Sequence, residues 1–436
     1  MYPFAQARLL VLFFLLCSSY SFATSNPLFS IHGSNTLGAE LNAKLLMGWF
    51  NERHASQVQR INTLENEYRI RAYDGLKQQW QEVRVSAHGS STGFTHLIEK
   101  TGDIAASSRP IKSAEKKELS VQAPISTAEF EQVVAIDGLA IIVHPSNPLK
   151  KISLAQLKAI FSGEITHWED IQAGVGAIHL YARDEHSGTW DSFNSMILNN
   201  RPLAAAQRFE SNSALALAVS QDAGAIGFVG MGAIGENKTL ALYEGQAQAL
   251  PPNPLTVATE DYLLSRRLFM YSVSTKPAVK EFLHFVQSPA GQKIVAESGY
   301  ISQQITAVTP RIDPLLPNPF KNLTQNAQRL TLNFRFIEGK VELDNKGNRD
   351  LQRLVAYLQQ HPQMHLLLLG FADPKSSDEN SKLLSKLRTR LVYSKLMRLG
   401  VHHAEVVGLG DEVLIAAAEE LAGKIKNRRV EVWVRP

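Results

Sequence analysis

Arg183-Asp184-Glu185-His186-Ser187-Gly188-Thr189 stands between Ala177-Ile178-His179-Leu180-Tyr181, which reads as a strand, and Trp190 to Leu198, which reads as a helix. A strand, a Ser-Gly-Thr turn and a helix start aim unpaired backbone N–H groups and hydroxyls at one point. Arg183 adds fixed charge beside them. This is the pattern of an anion cradle. Outward from it, Val134-Ala135-Ile136, Leu139 to Val143 and Ala225 to Val229 read as buried strands. Leu41, Leu45, Leu46 and Trp49, and likewise Leu154, Leu157, Ile160 and Phe161, recur at helical spacing. Strands alternating with helices predict an α/β domain. The segment Asn51 to Glu82 is polar and helix-prone and carries no assigned chemistry.

Three more Gly/Ser/Thr segments accompany the first: His32-Gly33-Ser34-Asn35-Thr36, His88-Gly89-Ser90-Ser91-Thr92-Gly93 and Ala105-Ala106-Ser107-Ser108-Arg109-Pro110. Gly/Ser loops cap helices in many proteins, so one alone says little. Four in one α/β unit, one with an arginine, point to helix N-termini converging on a tetrahedral oxyanion. His32, His88 and His186 each sit in one of these loops and are read as hydrogen-bond donors near the anion rather than as metal ligands.

The chain has 436 residues, 44% hydrophobic and 20% charged, with a net charge of +4 that gives no case for nucleic acid. Arg8, the apolar run Leu9 to Leu16 and Ser21-Phe22-Ala23 read as a cleaved secretory signal peptide over residues 1–23. The single cysteine, Cys17, lies inside it, so thiol ligands and disulfides are excluded from the exported chain. Pro310, Pro314, Pro317 and Pro319 mark an extended connector over 309–324. It separates a domain over 24–308 from one over 325–436, a plausible independent size of about 110 residues. In the latter, Leu330 to Phe336 alternates as a strand, Leu351 to Leu358 follows at helical spacing, His365 to Leu369 is a strand, Leu384 to Leu399 a helix, and Val430, Val432 and Val434 alternate again.

The first domain resembles the periplasmic phosphate-binding proteins. Gly33-Ser34-Asn35-Thr36, Ser90-Ser91-Thr92-Gly93, Ser107-Ser108-Arg109-Pro110, Arg183-x-Glu185-x-Ser187-Gly188-Thr189 and Ala225-Ile226-Gly227-Phe228 fall in that family's order. So does Leu157-x-x-Ile160-Phe161-x-Gly163-x-Ile165-x-x-Trp168. The resemblance implies a two-lobed type II periplasmic-binding-protein fold with the ligand between the lobes. It implies phosphate contacts from Ser34, Thr36, Ser90, Ser91, Ser108, Arg183, Ser187, Gly188 and Thr189, with Glu185 orienting Arg183. The chain departs from better-known members at Ser108, where they carry an aspartate that accepts a proton from bound phosphate. Inner-membrane ABC transporters are the partners of such proteins.

The second domain is similar to the OmpA-like peptidoglycan-binding domain. Asp373 at a strand end, Leu384-Ser385-x-x-Arg388 on a helix and Asn427-Arg428-Arg429-Val430-Glu431 carry the likeness. It implies that Asp373 and Arg388 hold the diaminopimelate of peptidoglycan stems, opposite charges meeting its ammonium and carboxylate. Phe371-Ala372 replaces the usual His-Thr, Ser381 stands where an Asn is common, and Lys424 replaces an Arg.

The chain is therefore expected to be α/β throughout, a two-lobed binding fold followed by a small α/β wall-binding domain. Its expected role is periplasmic oxyanion binding, phosphate first, without cofactor or metal. A wall-associated sensor, adhesin or scaffold with a changed ligand is the alternative. A Ser187 or Ser90 nucleophile with a histidine lacks any recognised triad order, so catalysis is not expected.

Overall fold

The computed structural model describes residues 26–125, 129–174, 176–185, 187–337, 340, 342–374, 377–418 and 421–436. The signal-peptide segment with Cys17, and His186, lie outside the described residues.

The first lobe is built on strands β1 (Phe29–Gly33), β2 (Ser56–Leu64), β3 (Glu67–Asp74), β4 (Gln79–Ser86) and β5 (Ile104–Ser107). From it the long strand β6 (Glu131–Val143) runs into the second lobe, which adds β7 (Lys151–Ser153), β8 (His179–Arg183), β9 (Gln207–Phe209), β10 (Ala225–Gly230), β11 (Lys238–Thr239) and β12 (Ala241–Tyr243). Strand β13 (Ser265–Tyr271) returns antiparallel to β6. One sheet results, in the order β2-β3-β4-β1-β5-β13-β6-β10-β8-β9, with β11 also on β6; β7 and β12 pair separately.

Two apolar cores flank the crossing. Phe29, Ile31, Leu45, Trp49, Val134, Ala135, Leu268, Met270 and Phe282 belong to the first. Leu139, Ile141, Leu157, Phe161, Trp168, Phe228, Leu242 and Leu264 belong to the second. Strand β6 thus passes from one core to the other between Ala135 and Ile136, and the β13 segment between Leu268 and Leu264. These crossings join the two lobes. Helices begin where the chain supplies caps: Ser153 and Gln156 form a capping box, and Pro277 and Pro289 open their helices.

Three readings of the sequence are corrected. Asn51–Glu82 is not helical past Glu52 but forms most of the antiparallel meander β2-β3-β4. Tyr68, Ile70 and Ala72 alternate inward with period two, which outweighs a polar composition, and the polar side chains belong mostly to the edge strand β2. Val134 to Val143 is one strand rather than two. The helix after Thr189 ends at Phe193 and closes through a wider turn over Asn194–Leu198.

The C-terminal domain has β14 (Ala307–Val308), β15 (Gln328–Arg335), β16 (His365–Gly370), β17 (Ala404–Gly408) and β18 (Arg429–Arg435) in the order β14-β15-β18-β16-β17. Helices Asn345–Gln360 and Asp378–Arg398 pack on it. The proline-rich connector is packed rather than extended. It contains helix Asn318–Thr324, whose Phe320 is buried against Trp433 and Phe371. Proline density stops sheet formation there but leaves Ile312, Leu316 and Phe320 free to cover one face of the domain.

This domain docks on both lobes. Arg353 donates to Gln287 of the first lobe at 2.7 Å, while Ala417 N donates to Glu244 of the second at 3.1 Å and Gln248 N to Leu414 O at 2.9 Å. Between them, near the crossing, Asp261 is 1% exposed and takes Arg329 at 2.5 Å, Arg335 at 2.9 Å and Asn333 at 2.8 Å.

Candidate functional site

In the first lobe three of the four loops meet through their backbones. Gly33 has φ +133°, and a Cβ there would come 2.1 Å from Ala106 O, so only glycine lets β1 end against β5. Gly89 N then donates to Gly33 O and Ser34 N to Ala106 O, both at 2.8 Å. Ser34 is buried and caps the short turn Asn35–Gly38, its Oγ accepting from Thr36 N at 3.2 Å. Ser90 Oγ accepts from Ser108 N at 3.0 Å and lies 3.3 Å from Ser108 Oγ. Ser91 instead accepts from Arg109 Nη2 at 3.1 Å, and Arg109 is held bidentately by Glu115.

In the second lobe Ser187 caps helix Gly188–Phe193, accepting from Thr189 N at 3.1 Å and Trp190 N at 3.3 Å. The two lobes touch here. A Cβ on Gly188 would fall 2.2 Å from Thr36 Oγ1 and 2.7 Å from Thr36 N. The helix starts of both lobes therefore face each other across the cleft, their dipoles favouring negative charge between them.

Arg183 ends β8 and is stapled to the strand beside it. Its Nε donates to Phe209 O at 3.2 Å and its Nη2 to Glu210 O at 2.7 Å and Asp184 Oδ2 at 3.2 Å. The expected orientation of Arg183 by Glu185 is corrected: Glu185 pairs with Arg208 at 3.1 Å, and Asp184 is the carboxylate on Arg183. Arg208 stacks over Trp190 at 4.6 Å, which draws Glu185 outward. His32 stacks on His96 at 3.9 Å between centroids, and His88 pairs with Glu67 at 2.9 Å. Burial, with His96 next to it, lowers the His32 pKa to about 4.

The sequence reading missed the residues at the base of the cleft. Asp137 and Arg266 sit opposite each other on β6 and β13, where the strands cross between the cores. Arg266 donates to Asp137 Oδ2 from Nε at 3.1 Å and Nη2 at 3.0 Å. The same Nη2 reaches Thr36 Oγ1 of the first lobe at 2.9 Å and Gly188 O of the second at 3.2 Å. Tyr300 adds a bond to Thr36 O at 3.0 Å. Burial, and then the Asp137 charge, push the Tyr300 hydroxyl well above its usual pKa. A usable signal existed: Asp137-Gly138 interrupts an apolar run, and Arg266-Arg267 precedes another. Opposite charges inside two buried strands need each other.

In the C-terminal domain Asp373 is 1% exposed, and Arg428 grips it at 2.9 and 3.1 Å. Arg388 is buried, and among the described residues its Nε and Nη1 have no hydrogen-bond partner. Burial, and then Arg428, depress its pKa, and Phe336 lies under its guanidinium at 5.7 Å. Asn427 and Arg429 have structural duties. Asn427 Oδ1 accepts from Ile415 N and Ala416 N, and Arg429 pairs with Glu431 at 2.8 Å.

Comparison with known proteins agrees with this division. Residues 70–290 match the PBP superfamily domain, and residues 335–428 match the OmpA family. Protein SphX of Synechococcus elongatus is 32% identical over 250 residues, 52% of this chain and 72% of that protein. Phosphate-binding protein PstS of Staphylococcus epidermidis is 27% identical over 257 residues, 55% of this chain and 78% of its own length. The solved structure of a possible phosphate binding protein from Planctomyces limnophilus matches with a TM-score of 0.51 and 24% identity, covering 63% of this chain and 92% of that one, and bears on the fold alone. The chain belongs to the PBP superfamily, with an OmpA-family domain at its C-terminal end.

Proposed function

We propose that the protein is a periplasmic receptor for an oxyanion, inorganic phosphate, held non-covalently at peptidoglycan by its C-terminal domain. One observation carries this reading: helix starts from two lobes meet over a guanidinium at the crossing, Arg266 touching both Thr36 and Gly188. Such a site offers N–H, hydroxyl and guanidinium donors to a tetrahedral anion without a large net charge. Relatives named as phosphate-binding proteins support the choice of anion. The site residues are Ser34, Thr36, Ser90, Ser108, Ser187, Gly188 and Thr189, with Arg266 added; Arg183, Ser91 and Glu185 frame them. Binding requires no bond to be made or broken, so no enzymatic role is included. The signal peptide over residues 1–23, the packed connector over 309–324 and delivery to an inner-membrane ABC transporter are parts of the same proposal.

Asp373 and Arg388 are assigned to the diaminopimelate stem, the open Nε and Nη1 of Arg388 taking its carboxylate. A second reading, an envelope sensor rather than a shuttle, is favoured by the docking of the wall domain on both lobes. Titration calorimetry with protein stripped of anion by unfolding and refolding tests the receptor reading. Micromolar phosphate binding is expected, and absence of binding to phosphate and sulfate alike would leave the sensor reading. Co-sedimentation with purified peptidoglycan, lost on Arg388→Ala, tests the tether.

A further inference from the structure

We infer that Asp137 is the residue that selects a proton-bearing oxyanion in this site and rejects one that carries no proton. The inference rests on the oxyanion reading above and adds the group that sets its specificity.

Ser108 brings only a hydroxyl, which donates as readily as it accepts and cannot tell a protonated oxygen from a bare one. A carboxylate can. It accepts a hydrogen bond from the P–OH of hydrogen phosphate and repels the four bare oxygens of sulfate. The described residues put one such carboxylate at the junction of the lobes. Asp137 is 6% exposed and lies directly opposite Arg266 in the β6–β13 register. Arg266 occupies only Oδ2, through Nε and Nη2. Oδ1 accepts no hydrogen bond from any described group, and Nη1 of Arg266 donates none. Among the described residues the pair therefore leaves one carboxylate oxygen and one guanidinium nitrogen unused. A hydrogen phosphate uses both, an anionic oxygen on Nη1 and its hydroxyl on Oδ1. Sulfate satisfies Nη1 but leaves a lone pair facing Oδ1.

The surroundings keep this acceptor where an anion must meet it. Arg266 is itself held by Thr36 Oγ1 and Gly188 O, one from each lobe, so its guanidinium cannot swing away while the lobes are together. The pair lies where β6 and β13 leave one apolar core for the other, which limits water and strengthens both attraction and repulsion. A merely structural latch would need the same ion pair, but would lower the affinity of every anion by one factor when altered. A selector changes the ratio.

The experiment is calorimetric titration of the stripped protein with phosphate, arsenate and sulfate at neutral pH, repeated on Asp137→Asn. Arsenate also carries a proton at that pH, so the unaltered protein is expected to bind phosphate and arsenate within tenfold of each other and sulfate about 100-fold or more weakly. Asp137→Asn, whose amide can donate to a bare oxygen, is expected to bring sulfate within about tenfold of phosphate. Unaltered protein that binds sulfate as well as arsenate overturns the inference even if the variant does not fold. A folded Asp137→Asn protein that still excludes sulfate overturns it while leaving the phosphate reading intact. Unaltered protein that binds none of the three anions removes the oxyanion reading itself.

Discussion

Arg266 and Arg267 are neighbours on one strand, and the pleat sends their side chains to opposite faces. Arg266 faces the cleft, shares one carboxylate oxygen with nothing else, and keeps a donor open. Arg267 faces the C-terminal domain, where it pairs with Glu260 at 2.9 Å and Asp344 at 2.6 Å. Burial opposes the Arg267 charge, yet Asp344 and then Glu260 more than offset that and hold its pKa above the ordinary guanidinium range. The same residue type thus meets the cleft on one face and the C-terminal domain on the other. What separates them is charge: one carboxylate, Asp137, meets Arg266, whereas two, Glu260 and Asp344, meet Arg267 and balance it in excess.

The comparison breaks most visibly at the docking face. Asp261→Ala would leave Arg335 buried without a carboxylate and Arg329 with Glu431 alone, and a loss of about 3–5 kcal/mol in denaturant unfolding of the C-terminal domain is expected. A loss under about 1 kcal/mol would mean that the cluster is solvated and the docking loose. Next, Arg266→Gln should weaken phosphate binding about 100-fold by calorimetry, whereas Arg267→Gln should change it less than about threefold while raising proteolytic cleavage between residues 309 and 317. Equal effects of the two on affinity would erase the distinction between the faces.

Gly188→Ala sharpens the cleft side. Its Cβ would sit 2.2 Å from Thr36 Oγ1, so the lobes must stay apart, and a drop of about tenfold or more in affinity is expected with little change in melting temperature. Unchanged affinity would show that ligand binds without this contact. The smallest effect is that of pH on His32. Its folded pKa of about 4 lies below the ordinary 6.5, so the unfolded chain binds the proton first as pH falls. The His32 contribution is intact above pH 6.5 and is lost progressively between pH 6.5 and 4, by about 3 kcal/mol at most. His32→Gln should flatten that part of the stability profile, as read from urea midpoints.

The cleft loops were legible before the structure because glycine, serine and threonine at helix starts have few other uses in that density. Ser34 and Ser187 cap their helices, and Gly33 and Gly188 stand where a side chain cannot. Arg183 was equally visible, but its neighbours were not. Strand β9 takes its guanidinium, and the stacking of Arg208 on Trp190 takes Glu185, both through contacts far apart in sequence. The connector was misread for a related reason. Prolines report backbone restriction, while whether Phe320 finds Trp433 depends on a strand more than a hundred residues away.

Local pattern therefore carried the alternation of strands and helices, the anion-binding loops and the two-domain order, since caps, turns and apolar periodicity act within a few residues. Only the folded chain brought Asp137 against Arg266 and Asp261 against Arg329 and Arg335. Charges buried in strands acquire meaning from the partner that register and docking supply, and neither register nor docking is a local property.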